Sequence, residues 1–502
     1  MGFFYLKPKK PLVLFNSIDF AIFFPIVFIL YWIVAKKIKL RNFFLLVVSY
    51  YFYGSWDWRF LFLIAASSIL DFYIGKTMAK TEVKKKRKLL LIISLVFNLG
   101  LLCYFKYTNF FIESFVNTFR LFGSTLEVTT LQIILPVGIS FYTFQTLSYT
   151  IDIYRNKLEP TKDAIAFFAF VSFFPQLVAG PIERASHLLP QFFKTHKFNY
   201  NQIRSGLLLM AFGLFKKMVI ADRAAIYVNE VYNNVDDHNG TSYAIATVLF
   251  AFQIYCDFSG YSDIAIGAAR TMGFDLMKNF KSPYFAVSLT DFWRRWHISL
   301  STWFRDYVYI PLGGSKKGNF RTYANLFIVF VVSGFWHGAA WTFIIWGAIH
   351  GVILMSEKAL LPVKSKIANH SLLKQIPKWC NVLYIPLIFM IVCLAWVFFR
   401  ANSVSNAITI ITSSITDFSF TDLTNIEIYT LGLNINEFIA VVSFICLLLI
   451  AEAIHNTYGL FTILRKQVLP LRWAIYLTIV LTVIIFGVYG DGKEAEFIYF
   501  QF

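Results

Sequence analysis

Hydrophobic positions along this chain fall into long uncharged blocks separated by short charged clusters. Such blocks fill the intervals between Asp19 and Lys36, Arg41 and Asp57, Lys88 and Lys106, Asp163 and Glu183, Asp237 and Asp257, Arg321 and Glu357, Lys378 and Arg400, and Arg472 and Asp491. A helix needs about 20 apolar residues to cross the hydrocarbon layer, so these runs and several weaker ones predict about 9 to 12 transmembrane helices. The shorter runs predict tilted, broken or re-entrant segments. Hydrophobic segments recur to the last residues and no leader followed by a soluble module is visible, so residues 1–502 read as a single integral domain of an all-α polytopic membrane protein.

Composition agrees with that pattern. Hydrophobic residues are 58% of the 502 positions and charged residues 15%, with 57 phenylalanines, a balance outside the range of soluble globular domains. The net charge of +18 would suit a nucleic-acid partner on a soluble module, but here the positive residues lie between hydrophobic segments. Lys36 to Arg41 and Lys76 to Lys88 read as loops facing the anionic lipids of the cytoplasmic surface, with no nucleic acid implied. If both clusters are cytoplasmic, the Gly54–Arg59 turn and the N-terminus face outward, although Lys7, Lys9 and Lys10 oppose the latter. Cys103, Cys256, Cys380, Cys393 and Cys446 form no CxxC pair and read as structural thiols, so neither a redox pair nor a metal site is expected. No phosphate-binding loop is present, which disfavours an ATP-driven pump.

Residues 131–400 have a different texture. The sequence predicts apolar helices interrupted by PVGIS (Pro136–Ser140), AGPIER (Ala179–Arg184), CDFSGYSD (Cys256–Asp263) and YIPLGGS (Tyr309–Ser315). Broken backbone within a membrane must be covered by protein or line a cavity, so a protein-lined chamber is expected. In such a place an imidazole is a functional candidate, and His337, following Trp336 and lying between Gly334 and Gly338, is the foremost. It could take a hydroxyl proton as a general base, or knit helices as a hydrogen-bonded structural residue. His350 lies 13 residues on, about 20 Å away on one straight helix, too far to share a proton or metal, and packing is the simpler role.

Two further polar clusters stand out. In DFWRRWHISLSTWFRDYVYIPLGGS (Asp291–Ser315), Asp291 and Arg295 are spaced to pair on a helix, and Arg294, Arg295 and Arg305 alternate with tryptophans. The segment reads either as an interfacial helix with snorkelling arginines or as a receiver for a phosphate-rich acyl carrier, with His297 assisting the reaction path. In QIYCDFSGYSDIAIG (Gln253–Gly267), Asp257 and Asp263 surround a Ser-Gly break, where they could cap a helix, hold an arginine or position substrate. His455 in EAIHN reads as capping or packing, Ser413–Asn434 as an extramembrane loop and Lys358–Lys378 as a basic one.

These motifs, together with FFPQLVAGPIER (Phe173–Arg184), SGFWHGAAWTFIIWGAIHG and the terminal FIYFQF (Phe497–Phe502), resemble the membrane-bound O-acyltransferase family, and within it the membrane subunits of alginate O-acetylation. The resemblance implies a ring of helices around a thinned centre, a catalytic core at 131–400 and C-terminal helices at 401–502. It places the family's near-invariant histidine at His337 and its second motif histidine at His297. Arg294, Arg295, Arg305, Asp257, Asp263 and Trp336 are then expected to place donor or substrate. The implied reaction passes an acetyl group from cytoplasmic acetyl-CoA, a substrate rather than a resident cofactor, to an acceptor outside a bacterial cytoplasmic (inner) membrane. Implied partners are membrane lipids, a cell-surface polysaccharide and an extracytoplasmic serine-dependent acetyltransferase of hydrolase-like fold. D-alanyl transfer to a cell-wall polymer, a carrier or flippase, and a non-catalytic export scaffold are the alternative readings.

Overall fold

A computed structural model describes residues 14–123, 128, 130–131, 133–178, 180–368, 382–489 and 497–498. Lys7, Lys9, Lys10, Ala179, Cys380 and the end of the terminal motif, 499–502, lie outside the described residues. All regular structure among the described residues is helical, and six helical stretches are long and apolar enough to cross a membrane, with four shorter apolar helices beside them.

One of the apolar helices is inside-out relative to those of soluble proteins, with polar residues buried and apolar ones exposed. In Lys84–Leu102 the buried positions are Ser94, Asn98 and Leu102, one every four residues, while Leu89, Ile92, Ile93, Val96 and Leu99 are exposed. In Leu469–Phe486 Val483 is buried and Leu477, Leu481, Ile484 and Ile485 point outward. A lipid tail is as apolar as leucine, so no hydrophobic force drives leucine inward; polar side chains turn inward to find partners instead.

The chain divides into two compact units. The first comprises 1–210 and 261–277. Its helix Ile139–Tyr154 is buried along almost its whole length and packs against Leu61–Ala79 and Lys84–Leu102. Fully buried Asp71 joins these three helices: it accepts from Ser94 Oγ at 2.5 Å, Thr150 Oγ1 at 3.2 Å and Asn98 Nδ2 at 2.8 Å, and Asn98 Oδ1 in turn accepts from Ser67 at 2.6 Å. Elsewhere in this unit Glu183, from AGPIER, accepts from His187 Nδ1 at 2.8 Å and from the Met277 backbone N–H at 2.5 Å.

The second unit comprises 211–260 and 278–502. Its helices Asn319–His337 and Trp341–Ala368 form a tightly packed pair, and Tyr384–Arg400 packs on the latter. The CDFSGYSD motif does not break its helix. Gly240–Thr271 runs through it without interruption, and Gly260 serves close approach: a Cβ there would lie 2.8 Å from the Gly213 carbonyl oxygen and 3.1 Å from Lys217 N. Asp257 and Asp263 are therefore mid-helix residues and do not cap this helix. The expected basic loop from Lys358 is helical as far as Ala368, and 369–381 lie outside the described residues.

Asn98→Leu should strand one oxygen of Asp71 and destabilise the chain by about 1–3 kcal/mol, the cost of an unsatisfied buried polar group. Thermal unfolding of purified protein in detergent would read this as a lowered midpoint.

Candidate active site

His337 is the last residue of its helix, and Gly338 after it is extended (φ −158°, ψ 149°), so the chain turns there before the next helix begins at Trp341. What fixes this turn is a contact that only glycine permits. A Cβ on Gly334 would stand 2.3 Å from the Phe343 carbonyl oxygen, and one on Gly347 would stand 2.3 Å from that of Phe330. The two backbones touch, and side chains of both helices meet around the imidazole.

The resulting enclosure is aromatic. The His337 ring, 2% exposed, meets Trp346 edge-on at 5.0 Å between centroids, Trp336 at 4.9 Å and Phe399 at 5.5 Å. Trp346 stacks on Trp396 at 5.6 Å with the planes 16° apart. His297 completes the group, its ring 6.2 Å from both His337 and Trp336. The structure thus brings His337, His297 and Trp336 together.

His297 sits at a kink rather than within one interfacial helix. The segment divides into Leu289–Arg295 and Ile298–Phe304, with His297 at φ 41°, a left-handed conformation that costs about 1–3 kcal/mol in a non-glycine residue. Asn279 holds the kink: its backbone carbonyl accepts from Ile298 N at 2.9 Å, and its Oδ1 accepts from Ser299 Oγ at 2.9 Å and lies 3.1 Å from His297 Nδ1. Oδ1 also accepts from the Ser299 backbone N–H at 3.3 Å, which identifies it as the oxygen. His297 Nδ1 is therefore the donor in this pair, and Nε2 is left as the basic nitrogen.

The other sequence candidates take different places. Asp257 is buried and bound to Lys217 Nζ at 2.8 Å; Lys217 also reaches Asp222 at 2.6 Å. The second Asp257 oxygen accepts from the Ile498 backbone N–H at 2.7 Å, which anchors the start of the terminal motif. Next along the chain, Phe258 packs edge-on to His297 at 4.6 Å and against Phe497 at 5.7 Å. Asp257 thus reaches the histidines through its neighbour. Asp263 belongs to the other unit and is half-buried. Arg295 pairs with Asp291 at 2.9 Å, as its spacing predicts, while Arg294 is exposed and exposed Arg305 pairs with Asp306 at 2.7 Å. These arginines line a surface rather than the aromatic enclosure.

Sequence reasoning missed Lys217, Asp222 and Asn279. The lysine pair in FKKMVIADR had a readable signal, since charge inside an apolar run is costly unless partnered. Lys216 donates to Ser259 Oγ at 2.9 Å, and Phe215–Ala221 is a π-helical turn, a form common at functional sites. Among the described residues no cluster of His, Cys, Asp and Glu could hold a metal ion.

An imidazole pair in a buried, aromatic enclosure inside a membrane protein suits proton transfer at an acyl centre, and comparison with known proteins gives the class. The family profile described as membrane-bound O-acyltransferase matches residues 160–399. A probable alginate O-acetylase of Pseudomonas putida is 40% identical over 77% of this chain and 77% of its own. A peptidoglycan O-acetyltransferase of Helicobacter pylori is 37% identical over 80% and 79%, and a teichoic acid D-alanyltransferase of Streptococcus thermophilus 28% identical over 58% and 75%. The chain belongs to the membrane-bound O-acyltransferase family, in its alginate O-acetylase-like branch. It is a multi-pass inner-membrane acyltransferase.

Two outcomes test the scaffold. Lys217→Met should remove the ammonium that two buried carboxylates share and destabilise by about 3–5 kcal/mol, whereas Asp257→Asn keeps an acceptor for Ile498 and should lose far less; yields of monodisperse protein and unfolding midpoints separate them. Gly347→Ala should force the His337 helix away from its neighbour and abolish acyl transfer even where folded protein remains, as a labelled-donor assay in membranes would show.

Proposed function

We propose that this protein transfers acetyl groups from cytoplasmic acetyl-CoA to a hydroxyl acceptor, for O-acetylation of an extracytoplasmic polysaccharide. The observation that carries this reading is the position of His337: buried at a glycine-locked helix end, enclosed by aromatic rings and 6.2 Å from His297.

In this reading His337 removes the proton of the acceptor hydroxyl as its oxygen attacks the thioester carbonyl. The carbonyl π electrons move to oxygen, return as the C–S bond breaks, and the thiolate leaves as CoA thiol with the proton carried by the imidazolium. His297, its ring 6.2 Å from that of His337, lines the path by which the acceptor hydroxyl reaches the base. The polyanionic part of CoA stays with the basic cytoplasmic loops, and Arg294 and Arg305 suit its phosphates because they are exposed and cationic. An acyl-histidine is disfavoured because a base and a hydroxyl suffice.

Relatives named for acetyl transfer to alginate and to peptidoglycan cover more of this chain, at higher identity, than the one named for D-alanyl transfer. That favours acetyl over D-alanyl. A polymer too large to enter the enclosure calls for a second protein, and an extracytoplasmic serine-dependent acetyltransferase of hydrolase-like fold fits that need.

The test is transfer of label from [acetyl]-CoA in membranes holding the full chain and such a partner. His337→Ala at equal folded abundance is expected to lose label in both partner and polymer. A carrier or scaffold would keep acetylation in that variant, and undiminished transfer would refute the assignment.

A further inference from the structure

His350 and Trp346 carry buried N–H groups whose placement the fold alone leaves unexplained. Both residues have no measurable exposure. Trp293 Nε1 lies 3.4 Å from His350 Nδ1. An indole nitrogen can only donate, so His350 Nδ1 is the acceptor, and the ring's proton is on Nε2. That Nε2–H, and the Nε1–H of Trp346, find no acceptor among the described residues. A buried donor without a partner bears its full desolvation cost, and such groups call for an explanation.

Their location supplies one. Trp346 is edge-on to His337 at 5.0 Å and touches His350 at 5.0 Å, so one indole lies against both imidazoles. The rings are firmly seated, Trp346 by stacking on Trp396 and His350 by lying parallel to Phe292 at 6.4 Å. Two rigid donors beside a base, among packed aromatic rings, are what a developing oxyanion needs.

We propose that Trp346 Nε1–H and His350 Nε2–H donate hydrogen bonds to the oxygen of the acyl carbonyl as it takes up negative charge. The inference rests on the acyl-transfer reading above and adds its missing electrophilic half. Neither donor loses its proton: the electron pair that reaches oxygen during attack returns when the thiolate departs.

Trp346→Phe removes one donor while keeping a ring, and leaves no other group stranded. His350→Leu removes the second, and His350→Gln restores both an acceptor for Trp293 and a donor. Rates are measured as transfer from [acetyl]-CoA at varied concentration in membranes with the full chain and partner, and unfolding midpoints in detergent on the same preparations. The expected result for Trp346→Phe is a fall in kcat of about 10²–10³-fold, as for loss of one oxyanion donor. KM for acetyl-CoA should be little changed, and the unfolding midpoint unchanged or raised, because an unpartnered donor has been removed. His350→Leu should also lose rate, and His350→Gln should recover part of it. Near wild-type kcat in both Trp346→Phe and His350→Leu would overturn the proposal, as would a rate loss wholly matched by loss of folded protein. His337→Ala run in parallel separates the two readings: an active His337→Ala sinks the base assignment, whereas an inactive one beside fully active Trp346→Phe and His350→Leu sinks the donor assignment alone.

Discussion

The site depends on the backbone contact between Gly334 and Gly347. In a bilayer no hydrophobic force presses two apolar helices together, so their association relies on van der Waals contact and on how closely backbones can approach. Here the approach is close enough that neither position tolerates a Cβ. The contact sets the angle at which the chain leaves His337 through extended Gly338 and returns at Trp341. Trp346 lies one residue before Gly347, so the same glycine that locks the helices also presses the indole against His337.

A second constraint comes from charge. Lys217, Asp222 and Asp257 are all buried, and taking ions out of water costs several kcal/mol each unless they neutralise one another. One ammonium is shared by the two carboxylates, and the second Asp257 oxygen is met by the Ile498 N–H. The triad therefore does more than hold helices together. It fixes Phe258 and the start of the terminal motif around His297, where Phe497 and the imidazole pack against the same ring. A hydrophobic trio could fill the volume, but it would not specify the position of a backbone amide.

Much of this was legible in the sequence because membrane folding leaves coarse marks. Uncharged runs announce helices, so the helical class could be read directly, and an imidazole in such a run marks His337 as a candidate. The Asp291–Arg295 pair followed from helical spacing alone. What misled was glycine, which reads as a breaker when it serves close packing: Gly260 lies in an unbroken helix because Gly213 and the Lys217 backbone approach it. The same ambiguity ran the other way at Gly338. A straight helix would hold His337 and His350 about 20 Å apart, but the chain turns, and both rings rest on Trp346. Lys217 and Asn279 were missed because their roles depend on partners distant in sequence, Asp257 and His297 respectively.

The hydrogen-bond partners of two histidines give the enclosure its chemical polarity. Asn279 presents a carbonyl oxygen to His297 Nδ1 and Trp293 presents an N–H to His350 Nδ1, so identical side chains are driven into opposite tautomers. One ring then offers a lone pair at Nε2 and the other a proton. Acyl transfer to a hydroxyl needs both functions, an acceptor near the attacking oxygen and a donor near the carbonyl oxygen. In water either ring could exchange tautomers freely. In an enclosure of tryptophan and phenylalanine Asn279 and Trp293 hold the two rings in opposite tautomers, and that difference is the one our proposed base and donor roles draw on.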